Sequence, residues 1–106
     1  MRLPRRRDYT ISELRKAGVA SLEQTYGPLF YAETTAPDSQ GAWVLRLRSK
    51  HDGSQMMAFV CCPDEMSSER VDTLRQVERA TYPIPHYQVG RFYYSVLRDY
   101  AKRFIR

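Results

Sequence analysis

Few side chains in this sequence could make or break bonds: His51, His86, Cys61, Cys62 and the adjacent carboxylates Asp64 and Glu65. A structural zinc site spaces its thiols or imidazoles by two to five residues, so that the ligands converge on one ion. The vicinal pair Cys61-Cys62 lacks that spacing. On a strand, neighbours point to opposite faces, so these two are also poorly placed to bridge each other. Nucleophilic catalysis needs a base held beside the nucleophile. His51 falls in turn-like sequence and His86 follows Pro85, and neither lies in a serine- or cysteine-centred signature. Asp64 and Glu65 suit the positive end of a helix. Pro37-Asp38 could open a metal-dependent nuclease motif, but Arg48-Ser49-Lys50 lacks the second acid that a metal would need. No catalytic residue, metal or cofactor is therefore expected, and the chain reads as a non-enzyme.

Charge offers more. The 106 residues carry 17 basic and 12 acidic groups, a net charge of +5. Residues 1–7 hold Arg2, Arg5, Arg6 and Arg7. Residues 91–106 hold Arg91, Arg98, Lys102, Arg103 and Arg106 against Asp99 alone. The stretch between, 8–90, is mildly acidic. Basic ends around an acidic middle point to an anionic partner; the same charge would also serve solubility alone.

The elements that must position these groups can be read in order. Residues 1–9 form a basic flexible arm, since Pro4 disfavours a helix and the arginines have nothing apolar to pack on. Residues 10–106 form one α+β domain. Thr10 and Glu13 make a capping box, as do Ser21 and Gln24. Residues 10–26 are thus one helix containing Gly18 or two short ones. Three strands follow, over 29–36, 42–50 and 56–62, separated by Pro37–Gly41 turn chemistry and the Asp52-Gly53 hairpin signal. In the second strand Trp43, Leu45 and Leu47 point one way, and Val44, Arg46, Arg48 and Lys50 the other. Trp43 is expected to be buried. The third strand is apolar on both faces and so should be the best covered. A helix capped by Ser67 or Ser68 carries Val71, Leu74 and Val77 as its apolar stripe. A final helix over 87–105 places Val89, Tyr93, Val96, Leu97, Tyr100 and Phe104 on one arc. Arg91, Arg98, Lys102 and Arg106 lie opposite, with Tyr94 beside them. The expected fold is a three-stranded antiparallel meander flanked by an N-terminal helix and two C-terminal helices, order α-β-β-β-α-α.

On this frame the expected function is nucleic-acid binding, DNA ahead of RNA. The arm arginines Arg2, Arg5, Arg6 and Arg7 would contact phosphates, as would the sheet-face cations Arg46, Arg48 and Lys50. The C-terminal face of Arg91, Tyr94, Arg98, Lys102 and Arg106 would do the same. A protein-binding inhibitor or adaptor is the alternative. An acidic protein surface attracts the same arginines, and eight tyrosines, four methionines and one tryptophan could anchor an interface. Gly41, Trp43, Leu47 and Arg48 on a β-β-β-α unit resemble the three-stranded DNA-reading sheets of plant ethylene-response factors. The wider α-β-β-β-α order is similar to double-stranded-RNA-binding domains, with Asp64, Glu65 and Glu69 standing where that family's lysines would open the second helix. No apolar run approaches the roughly 18 residues needed to span a bilayer, so no membrane partner is expected. With no secretory signal and no placeable disulfide, a cytoplasmic setting is expected.

Overall fold

A computed structural model describes residues 8–105. Among these residues the chain forms three helices and a four-stranded mixed sheet: α1 (Ile11–Tyr26), β1 (Phe30–Thr34), β2 (Trp43–Ser49), β3 (Gln55–Cys62), α2 (Ser68–Thr81), β4 (Gln88–Tyr93) and α3 (Tyr94–Phe104). The sheet runs in the order β1-β2-β3-β4. β1, β2 and β3 pair antiparallel, as the two hairpin turns require, whereas β4 adds parallel to β3. A parallel neighbour needs a crossover, and α2 supplies it.

The expected three-stranded sheet is therefore a four-stranded one, and the expected helix over 87–105 is a strand followed directly by a helix. Gln88–Tyr93 is rich in β-favouring residues and contains Gly90, which weakens a helix. β3 still has a free edge to fill once β2 has paired with its other side. Gly90 fits there for a packing reason: a Cβ on it would stand 2.8 Å from the Phe59 ring. That ring lies across the glycine and stacks on Phe92, centroids 4.3 Å apart.

α1 is one continuous helix. Its capping box is complete: Glu13 N–H donates to Thr10 Oγ1 at 3.1 Å, and Thr10 N–H donates to Glu13 Oε1 at 3.2 Å. Gly18 lets the helix approach the sheet, since a Cβ there would stand 3.1 Å from Leu45 Cδ2 and 3.5 Å from Leu97 Cδ2. In α2, Ser67 is the cap and Val71 is buried. Val77, expected in the apolar stripe, is 57% exposed, and Glu78 is buried in its place. At 100° per residue, position 78 returns to within about 20° of position 71, while 77 lies about 120° away.

Each face of the sheet has its own core. Trp43, Leu45, Leu47 and Cys61 pack with Leu14, Ala17 and Leu22 of α1 and Leu97 and Ala101 of α3. Ala58, Val60, Cys62 and Val89 pack with Val71 of α2 on the other face. β3 is apolar on both sides because it is covered on both sides. Trp43 is buried at 2% exposure, and Cys61 and Cys62 are free thiols on opposite faces. No helix among the described residues is long and apolar enough to cross a membrane.

Candidate nucleic-acid interface

Residues 8–105 contain twelve basic and twelve acidic residues, so the described part of the chain is formally neutral. The whole net charge of +5 resides on Arg2, Arg5, Arg6, Arg7 and Arg106, which lie outside the described residues. Of the expected arm over 1–9, the described residues are Asp8 and Tyr9, and Tyr9 packs against the α1–α3 core.

The sheet-face cations have different environments. Arg46 forms a two-pronged ion pair with Glu78 of α2: Nε to Oε2 at 3.0 Å and Nη2 to Oε1 at 2.9 Å. The Tyr87 hydroxyl donates to the same Glu78 Oε2 at 3.1 Å. The guanidinium also lies 5.0 Å from the centroid of the Tyr82 ring. Its hydrogen bonds to Glu78 raise the Arg46 pKa, although burial opposes that. Burial, with the Glu78 charge beside it, drives the Tyr87 hydroxyl far above the ordinary phenol range. Arg48 pairs with Glu33 of β1, donates to the Gly53 carbonyl at 3.1 Å and lies against the Gln55 amide. Both arginines thus do structural work across the sheet. Lys50, in the β2–β3 turn, is exposed and has no carboxylate partner among the described residues.

The C-terminal stripe is divided by the strand–helix junction. Arg91 stands on β4 rather than on a helix, exposed and 5.5 Å from the Tyr93 ring centroid. It therefore cannot continue the row formed by Arg98 and Lys102 on α3. Tyr94 opens α3 half-buried, and its hydroxyl donates to the Gly41 carbonyl. Burial pushes that hydroxyl pKa up, with the Trp43 indole partly offsetting the shift. Arg98 meets Asp64 at 3.3 Å. The same carboxylate accepts the Ser95 N–H at 3.0 Å and so caps α3, whose preceding residue offers no side-chain cap. Asp64 is structural, as expected of an acid at a helix start, but it serves α3 rather than α2. Lys102 pairs with Asp99 at 3.5 Å, both well exposed. Such a surface pair contributes about 0–1 kcal/mol and leaves the lysine free to exchange partners.

Paired cations occur at both ends of the sheet, Arg48 with Glu33 among them. At the end carrying the β1–β2 connection and the C-terminus of β3, Arg70 faces Asp38 at 3.7 Å and Arg98 faces Asp64. At the opposite end, near the β2–β3 turn and the start of β4, Lys50 and Arg79 are exposed without a carboxylate partner among the described residues. There Arg75, Arg79 and His86 line a cleft of about 480 Å3 together with Met57, Tyr87 and Gln88. Sequence reasoning did not group these three, because they come from α2 and from the connector before β4. His86 drew notice only as a lone base; its φ of 63° marks a special backbone position.

For other chemistry the fold brings little together. Among the described residues no three His, Cys, Asp or Glu side chains converge to hold a metal. Burial raises the pKa of the Cys61 thiol well above its ordinary value and raises that of Cys62 too, the reverse of what activates a thiol. The molecule is a small α+β domain with a mixed four-stranded sheet and basic ends. Compared with known protein families, curated proteins and solved structures, the chain finds no match.

Proposed function

We propose that this protein binds nucleic acid, DNA ahead of RNA, mainly through phosphate contacts made by its Arg-rich N-terminal arm. The carrying observation is the separation of charge: residues 8–105 are neutral, and the excess positive charge lies on Arg2, Arg5, Arg6, Arg7 and Arg106. Lys50, Arg91 and Lys102 are exposed and unpaired or only weakly paired, so they can add contacts. Arg98 can contribute by releasing Asp64. Arg46 and Arg48 support the sheet instead, and Tyr94 is spent on Gly41. An arginine-rich segment suits the minor groove of DNA. The free buried thiols are in keeping with a reducing, cytoplasmic setting.

Binding to short mixed-sequence duplex DNA and to RNA, measured across a salt series, tests the reading. Each phosphate contact releases counterions and steepens the dependence of log affinity on log salt by about 0.9. Deleting residues 1–7 should flatten that slope by about 3.5 units without altering the fold. No affinity of the full chain at low salt would overturn the proposal, and an unchanged slope after deletion would remove the arm from it.

A further inference from the structure

The two edges of the sheet are treated differently. At the β1 edge, α1 packs alongside, the Ala32 N–H donates to Glu23 Oε2 at 3.1 Å, and Arg15 Nε reaches Thr34 Oγ1 at 2.9 Å. α1 and its side chains thus cover part of that edge. β4 is the other outer strand. Among the described residues no backbone group pairs with its outer side. Two contacts show which residues face outward. The Val89 carbonyl accepts Arg75 Nε at 2.8 Å, away from β3. The Phe92 carbonyl lies 3.9 Å from Cys62 Sγ, towards β3. In a parallel ladder alternate residues direct both backbone groups to one side, so Val89 and Arg91 turn outward. Exposed strand edges are templates for another strand unless something blocks them.

We propose that the outer edge of β4 accepts an extended acidic peptide segment as a fifth strand. Charge selects the occupant. Arg91 stands midway along the edge, and Arg79 and His86 line the cleft where β4 begins. Gln88–Tyr93 contains no carboxylate, and the nearby acids Glu78 and Asp72 are engaged by Arg46 and Arg75. A second copy of this chain is the poorer occupant. Antiparallel self-pairing about the middle of β4 would bring two Arg91 side chains together, and like charges across a strand pair are destabilising. β4 spans six residues, or about 20 Å at roughly 3.3 Å per residue, so a segment of that length fits. Its main chain would pair with the outward backbone groups of Arg91, beyond the Val89 carbonyl that Arg75 holds, and its carboxylates would meet Arg91 in the middle and Arg79 at the start.

The test uses the full chain and fluorescein-labelled hexapeptides of alternating valine and glutamate, with valine–lysine peptides as the charge control. The acidic peptide should bind and the basic one should not. Arg91→Glu and Arg79→Glu should each weaken binding by about tenfold or more, with circular dichroism confirming the fold. Peptides N-methylated on alternate residues separate strand addition from plain charge attraction, with no change to the protein: methylation on one set of positions should abolish binding, and on the other set should be tolerated. Removing residues 1–7 should leave peptide binding intact, so failure here is distinct from failure of the nucleic-acid reading. Absence of acidic-peptide binding, equal binding of both N-methylated peptides, or concentration-dependent dimerisation lost on Arg91→Pro would each overturn the proposal.

Discussion

Removing the Arg46 side chain should destabilise the fold and leave ligand binding by the folded protein unchanged. Glu78 is 4% exposed and holds three hydrogen bonds, two from Arg46 and one from Tyr87. Arg46→Ala would leave the carboxylate buried with the Tyr87 hydroxyl alone, and would also remove the guanidinium from the Tyr82 ring. Deleting one partner of a buried pair costs about 3–5 kcal/mol, because the other charge is left uncompensated. The Arg46 side chain keeps 17% exposure, so some water reaches the site and the lower value, about 3 kcal/mol, applies. For a domain of this size that corresponds to a fall in Tm of roughly 12–24 °C. Urea unfolding followed by circular dichroism would report it as a lower midpoint at constant slope. A double-mutant cycle with Glu78→Gln should show strong coupling between the two positions. The salt dependence of DNA binding, measured on the folded variant at low temperature, should stay put. A stability loss under about 1 kcal/mol, joined to a salt slope reduced by about 0.9, would refute the assignment and make Arg46 a phosphate contact.

Gly90→Ala should destabilise the fold by about 1–3 kcal/mol, because the new methyl enters the space of the Phe59 ring; denaturant unfolding of the variant checks this, and a neutral result would mean the Phe59–Phe92 stack yields freely. Tyr87 should make the protein alkali-sensitive. Its hydroxyl pKa is raised in the folded state from an ordinary value of 10.0. The stabilisation is therefore complete below about pH 10 and is lost as pH climbs above it. Tyr87→Phe should lower stability at neutral pH by about 1.5–3 kcal/mol, through the lost bond to a charged acceptor, and should flatten the alkaline decline in a pH series of urea midpoints.

Much of the frame is local and legible from residue order. Trp43, Leu45 and Leu47 alternate with Val44, Arg46 and Arg48, and the two sets do face different cores. The capping box at Thr10–Glu13 and the Asp52-Gly53 turn act within a few residues, so their neighbours along the chain suffice to place them. The apolar run ending at Cys61-Cys62 announces a strand covered on both sides, with its two thiols apart. The separation of charge towards the termini is likewise a property of composition, and the proposal for DNA rests on it.

Tertiary structure decided the rest. Residues 88–93 satisfy both periodicities: Val89 and Tyr93 fit a helical arc, while Val89, Arg91 and Tyr93 alternate as on a strand. Only the free edge of β3, created when β2 paired with its other side, settles the segment as β4 and moves Arg91 from a helix face to a sheet edge. The fates of the sheet-face arginines were hidden for a similar reason. Arg46 finds Glu78 thirty-two residues away, and Arg48 finds Glu33 fifteen away. Sequence shows that a cation exists, but whether a folded carboxylate neutralises it depends on which elements the sheet brings within hydrogen-bonding distance.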